Sequence, residues 1–326
     1  MTKYLPIFVI LLSISVCACQ SDQSILSSSD TTLSDALGEF CTKLPRPEYA
    51  DLDLHEVSND WFEVYLVGDG VWAIYEPHQW QEVISYLILG DQQAVLFDSG
   101  NGLGDIRAVV NQLTPLPVLV INSHSHIDHI GGNHQFENIA SLSTEFSLSR
   151  SKGVNDESVK EEASPAALCR PLPTGVRQAD HRIRPYQITR VLMAGQHLEL
   201  GGRKLEVISI PGHTDDSIAL LDKEAGYLWT GDSYYAGPIW LFADETDLSD
   251  YQQSINYLAD LSPQLTSLFP AHNAPRVDPK ILIDVASSFN KVLTGSETSK
   301  PEWEGVLRFQ YDGFSFLLRE DFADNN

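Results

Sequence analysis

A chain of 326 residues, 43% of them hydrophobic and 20% charged, holds enough apolar material for one large domain or two small ones with a buried core. Its formal net charge of −24 lacks the basic footprint that a nucleic-acid partner requires, and it disfavours polyanionic substrates. The acidity reads first as a solubility feature and second as a means of steering a substrate.

The amino terminus reads as a targeting segment. Lys3 supplies a minimal positive region, and residues 5–16 are almost entirely apolar. A run of about a dozen residues is too short to span a bilayer and matches the apolar part of a signal peptide. It ends in Val16-Cys17-Ala18-Cys19, which resembles a bacterial lipobox. Residues 1–18 would then be a lipoprotein-type signal peptide, and Cys19 would carry the lipid. That resemblance implies a protein anchored in the bacterial cell envelope and facing the periplasm. Ala18 also suits ordinary signal cleavage, so a secreted periplasmic protein is the alternative. Residues 20–37 are polar and rich in Ser, Asp and Thr, a composition that cannot bury a core. We therefore expect an anchor and tether over residues 19–45 and a folded domain over 46–326. Two cysteines remain in the mature part, Cys41 and Cys169, either bridged or as two buried thiols. Nothing in the sequence specifies an oligomeric state.

From residue 62 the pattern turns strand-like. Residues 62–67 and 71–75 flank Gly68-Asp69-Gly70, a hairpin signal, and residues 83–89 and 94–97 flank Gly90-Asp91. Asp98-Ser99-Gly100 closes the last of these strands, residues 106–113 have helical spacing, and the apolar run 117–121 predicts a buried strand. Residues 145–190 break the rhythm. They are polar and carry four prolines, and a stretch this long without a sheet pattern is functional or disordered. We read it as an irregular, partly helical insertion bordering the site, either a substrate lid or a passive excursion. Strands return at 203–210, 217–221 and 227–230, helices follow at about 248–261 and 279–292, and residues 305–318 form a hairpin around Asp312-Gly313. Strands then helices, repeated once, predict an α/β fold of two sheets packed face to face with helices outside, an αβ/βα four-layer sandwich.

The chemistry lies in the loops after those strands. The run 117–121 delivers Ser123-His124-Ser125-His126-Ile127-Asp128-His129-Ile130-Gly131-Gly132, four metal-ligand side chains within six residues. In an extended segment His124 and His126 share a face, because strand side chains repeat every second residue. Asp128 and His129, past the strand end, can turn toward a second metal. His213 in Pro211-Gly212-His213-Thr214, Asp232 in Thr230-Gly231-Asp232-Ser233 and His272 in Pro270-Ala271-His272-Asn273 each follow a strand too. Loops of this kind carry chemistry on a rigid scaffold. Borderline-soft Zn²⁺ suits imidazole plus carboxylate, and the same cage accepts iron or manganese. His134 reads as a packing histidine, and His55, His78, His181 and His197 have no ligand context.

These four stretches resemble the metallo-β-lactamase-fold hydrolase superfamily, over roughly residues 62–295. The resemblance implies two Zn²⁺ per chain, one held by His124, His126 and His213, the other by Asp128, His129 and His272, with Asp232 bridging. It implies a hydrolase in which the metals activate hydroxide and Asp128 accepts a proton or orients the nucleophile. True zinc β-lactamases carry Cys or Ser where this chain has Asp232. The bridging aspartate is similar to that of the lactonase, glyoxalase II-like and acyl-thioester hydrolase branch. Tyr235 resembles a substrate-contacting tyrosine of N-acyl-homoserine lactonases. The expected substrate is a small molecule with a carboxylic ester, lactone or thioester bond. β-Lactam hydrolysis is the alternative, and a non-catalytic zinc-binding envelope protein stands behind both. Acyl-coenzyme A itself is disfavoured, because it is polyanionic and cytoplasmic.

Overall fold

The computed structural model describes residues 40–322. The expected signal peptide, the expected anchor at Cys19 and residues 20–39 lie outside that range. The first sheet has seven strands in spatial order, β1 (Glu63–Gly68), β2 (Val71–Tyr75), β3 (Ile84–Leu89), β4 (Ala94–Phe97), β5 (Val118–Ile121), β6 (Ile139–Ser141) and β7 (Arg190–Val191). Neighbours from β1 to β4 are antiparallel, and those from β4 to β7 are parallel. The crossover from β4 to β5 runs through α1 (Ile106–Leu113), started by Asp105, whose side chain accepts from the Ala108 N–H at 2.9 Å. After β5 come the single turn α2 (Ile127–Ile130), then α3 (Glu145–Arg150) and α4 (Glu157–Glu161).

The second sheet contains β8 (His197–Glu199), β9 (Lys204–Ser209), β10 (Ile218–Asp222) and β11 (Tyr227–Gly231). It is completed beyond β12 (Pro238–Leu241) by β13 (Ser267–Pro270), giving the order β13-β11-β10-β9-β8. Helices α5 (Leu248–Leu261) and α6 (Ile281–Leu293) flank β13 in the chain. The remaining strands, β14 (Lys300–Trp303), β15 (Val306–Gln310) and β16 (Ser315–Arg319), join β12 in a third sheet.

Strand alternation assigns the layers. Val71, Ala73 and Tyr75 of β2 and Ile84, Tyr86 and Ile88 of β3 pack in one cluster with Leu205 and Val207 of β9 and Ile218 and Leu220 of β10. That cluster lies between the sheets. The intervening Ile74 and Leu87 pack with Ile106, Val109 and Val110 of α1, whereas Ile208, Ala219 and Leu221 pack with residues of α5 and α6. The period of two thus sends alternate residues of each strand into different layers. The result is the four-layer αβ/βα sandwich that the sequence predicts.

One boundary needs correction, and one predicted element is part of a larger one. The folded domain does not start at residue 46: Phe40 is buried, and Cys41 forms a disulfide with Cys169. An aromatic ring and a covalent bond to the insertion bring residues 40–45 into the fold rather than leaving them in the tether. The C-terminal hairpin forms as expected, β15 pairing antiparallel with β16, and it belongs to a larger sheet. β12 pairs parallel with β16, and β14 pairs with β15, so four short strands share the edge hydrogen bonds.

Candidate metal centre

All seven predicted ligands converge where the exits of β5, β9, β11 and β13 meet. Two close approaches make this possible. Gly231 has φ +52° and lies against Ser123, where a Cβ would come within 2.5 Å of the serine Cβ. Gly131 packs on the Asn101 backbone, where a Cβ would come within 2.2 Å of the carbonyl carbon. The two sheets are stitched at the same place, since the Ile218 N–H donates to the Ser123 carbonyl at 2.7 Å and the Ile84 N–H to the Ala271 carbonyl at 2.7 Å.

The ligands form two sets. His124 Nε2 lies 2.9 Å from His126 Nδ1, and His213 Nε2 lies 3.2 and 3.0 Å from those two atoms. In the second set His129 Nε2 lies 3.1 Å from Asp128 Oδ2, and His272 Nε2 lies 3.6 Å from the same oxygen. Asp232 stands between the sets. Its oxygens approach His129 Nε2 at 3.4 Å, His272 Nε2 at 3.1 Å and His213 Nε2 at 3.7 Å.

The second nitrogen of every imidazole is engaged. His124 Nδ1 lies 3.0 Å from Ser123 Oγ, which itself donates to Asp98 at 2.9 Å. His129 Nδ1 donates to Asp98 at 3.0 Å, and His126 Nε2 donates to Glu245 at 2.8 Å. His213 Nδ1 and His272 Nδ1 donate to the Trp240 and Gln81 carbonyls at 2.9 and 2.6 Å. Outer nitrogens that donate leave lone pairs on the inner ones, the tautomer a metal requires.

Burial pushes His124 and His213 below the ordinary histidine range, His213 to about 4, and neighbouring imidazoles add to the effect. His124 and His213 are therefore held in the neutral form. Burial also opposes charge on His129 and His272, but Asp128 and Asp232 outweigh it and raise both. His129 and His272 in turn hold Asp128 and Asp232 below the usual carboxylate range despite their burial.

The donor set fits divalent cations. Bonds of about 2.0–2.1 Å in a tetrahedron place donor pairs about 3.3 Å apart, close to the 2.9–3.2 Å separations of the three imidazoles. Among the described residues, His129 Nε2 and Asp232 Oδ1 are buried and, despite their ion-pair neighbours, have no partner in hydrogen-bond geometry. Two such atoms aimed into one cage are costly unless an ion satisfies them.

Of the other residues singled out, Tyr235 lines the adjoining cavity with its ring 4.8 Å from His272, but its hydroxyl donates to the Pro238 carbonyl. His134 stays outside the cage, with Nδ1 3.0 Å from the Gly131 carbonyl. Two supporting residues were not predicted. Asp98 follows β4 in the same strand-exit context as the ligands, which is the signal that could have found it. Glu245 sits in the acidic run Asp244-Glu245-Thr246-Asp247, where nothing marks one carboxylate over another. The cavity over the cage, about 400 Å³, is walled by Trp80, Tyr235, Trp240 and Phe242, and the insertion contributes Arg150, Ser158 and Glu162.

The metallo-beta-lactamase superfamily model matches residues 80–145. The acyl-coenzyme A thioesterase MBLAC2 of Gallus gallus is 30% identical over 226 residues, 65% of this chain and 81% of the relative. A hydroxyacylglutathione hydrolase of Yersinia enterocolitica is 28% identical over 187 residues, 57% of this chain and 60% of the relative. The fold is shared with a metallo-beta-lactamase family protein of Thermus thermophilus, with TM-score 0.54, 22% identity, and coverage of 73% of this chain and 87% of that one. The chain belongs to the metallo-β-lactamase superfamily of metallo-hydrolases.

Proposed function

We propose that this protein is a di-zinc hydrolase that cleaves a carboxylic ester, lactone or thioester. The observation that carries the reading is the pair of three-residue ligand sets joined by Asp232 on the floor of an aromatic-walled cavity. His124, His126 and His213 would hold one cation, Asp128, His129 and His272 the other, with Asp232 shared. When bound, the two cations would supply a water deprotonated near neutral pH and a charge to stabilise the developing oxyanion. Asp128, ionised and at the cavity wall, orients that water and takes its proton. Trp80, Trp240 and Phe242 keep bulk water from the reacting carbonyl, and no side-chain nucleophile is required. No step is routed through Tyr235, whose hydroxyl is already committed to Pro238. Within the three bond types, relatives named as thioesterases favour the thioester.

We also propose that the chain is exported and lipid-anchored at Cys19 in the envelope. The Cys41–Cys169 disulfide supports export, since such bonds persist in oxidising compartments. Labelled palmitate incorporated by the native chain but not by Cys19→Ser would support the anchor, and equal labelling of both would refute it.

The function is tested by metal content measured alongside turnover of chromogenic ester, thioester and cephalosporin substrates. Two zinc ions per chain with ester or thioester cleavage are expected. Cephalosporin cleavage alone would move the protein to the β-lactamase reading, and a chain that takes up no metal would sink the proposal.

A further inference from the structure

Resting on the hydrolase reading, we infer that Arg150 is a specificity-determining residue, and that the substrate carries a carboxylate held by its guanidinium while the scissile carbonyl lies over the cage. The cavity is lined by two guanidinium groups, Arg46 and Arg150. Arg46 is already engaged, its Nε and Nη2 both bonded to the Glu82 carboxylate. Arg150 is not. Its nearest carboxylate oxygen is Glu245 Oε1, 4.0 Å away, and that oxygen already accepts from His126 at 2.8 Å. Among the described residues none accepts a hydrogen bond from Arg150, and its Nε is fully buried without a partner. A guanidinium offers five N–H donors in a planar fork, and leaving a buried one unmatched is costly.

The fork is held in place rather than left to wander. It lies 4.8 Å from the Phe146 ring centroid one turn earlier on α3, and Phe146 packs edge-on against the metal-ligand candidate His126 at 5.7 Å and 90°. Thr144, which caps α3, donates to Asp215 at 3.0 Å, two residues past His213. Arg150 is thus referenced to the cage through both its stacking partner and its helix cap.

The chemistry of the ligand follows from the count of charges. One planar fork matches one carboxylate bidentately. A polyanion would need further cations, whereas the cavity also presents Asp128, Glu162 and Asp232. A substrate with a single carboxylate and an apolar body fits both the fork and the Trp80, Trp240 and Phe242 wall.

The test pairs two esters of equal length, mono-4-nitrophenyl glutarate and 4-nitrophenyl valerate, on the zinc-loaded chain and on Arg150→Gln and Arg150→Lys. The native chain is expected to favour the glutarate about tenfold or more in kcat/KM, the scale of one charged hydrogen-bonded contact. In Arg150→Gln that ratio should fall to about one, mainly through KM for the glutarate, with Arg150→Lys between. A native ratio near one, or a variant that lowers both substrates by the same factor, would overturn the assignment, the second outcome leaving Arg150 as a support for Glu245 and His126. If neither ester is cleaved, the esterase reading fails on its own. Quenching of tryptophan fluorescence by glutarate against glutaramide then decides the inference. Tighter glutarate binding that Arg150→Gln abolishes supports it, and equal binding of the two overturns it.

Discussion

The cage and the insertion meet at His126, and they are held together in opposite ways. Each cage ligand follows closely on a strand of a packed sheet, and the outer nitrogen of each imidazole is fixed by a neighbour. The insertion between residues 145 and 190 has two short helices, α3 and α4, two single 3-10 turns, one internal bridge between Val154 and Ile183, and the disulfide to Cys41. The family match ends at residue 145, where α3 begins. The cage is therefore built at strand ends, whereas the part of the cavity lining that the insertion contributes, Arg150, Ser158 and Glu162, comes from elements with little sheet support. Rigid geometry protects the reaction, and loosely scaffolded surface leaves room for selectivity.

Removing the shared carboxylate should break the cage while leaving the insertion intact. Asp232→Ala takes away the group placed between the two ligand sets. We expect kcat/KM to fall by about 10³-fold or more, the scale of losing metal-assisted stabilisation of the oxyanion. Metal analysis should show less than two ions per chain. Turnover within tenfold of the native chain would mean that Asp232 is not part of the reacting centre.

The converse is the double variant Cys41→Ser, Cys169→Ser, which releases the insertion and spares the cage. The bridge spans 128 residues, and loop-closure entropy for such a span puts its contribution at about 2–5 kcal/mol. Thermal unfolding should move down by several degrees, and protease should cut the 145–190 segment faster. Metal content should remain at the native value. Loss of metal in this variant would show that the two regions are not separable.

How far each region could be read in advance follows from the distance between cause and effect along the chain. His124, His126, Asp128 and His129 lie within six residues, and His213, Asp232 and His272 each declare themselves by following an apolar strand. That information is local. Glu245 lies 119 residues from the His126 it supports, and no periodicity connects them. Asp98 acts through Ser123 and His129 at separations of 25 and 31 residues, so its context was legible but its role was not. The third sheet was missed because β12 has only four residues, too few for alternation to stand out, and its partner β16 lies far along the chain. The same limit hid the fold of residues 40–45, which depends on Cys169.

Acid offers a graded way to separate the regions. His181 is buried in the insertion, and burial pushes its pKa down to about 4. The folded state keeps the ring neutral, while an unfolded segment would bind a proton near 6.5. The neutral ring's contribution is fully present above about pH 6.5 and is lost as pH falls toward 4. Over that window the loss is about 3 kcal/mol. Proteolysis of residues 145–190 should accelerate across it, and His181→Gln should flatten the dependence relative to the native chain at each pH. Identical profiles for the two would remove His181 from the account.

The smallest effect concerns Tyr235, which stands between the regions' two styles. Its ring packs on His272 and walls the cavity, so a phenylalanine preserves the shape. Its hydroxyl donates to the Pro238 carbonyl three residues on, and burial holds the phenol well above its ordinary pKa. A donor already used inside the chain adds little to a carbonyl in the cavity. Tyr235→Phe should therefore lose about 1 kcal/mol of stability, the value of one buried hydrogen bond. Turnover of a simple ester should stay within about threefold, with KM carrying most of the change. A fall of tenfold or more in kcat at constant KM would instead give the hydroxyl a contact made only as the reaction proceeds. In that case the lactonase-like role of this tyrosine would stand, and Pro238 would be the group that holds the hydroxyl ready.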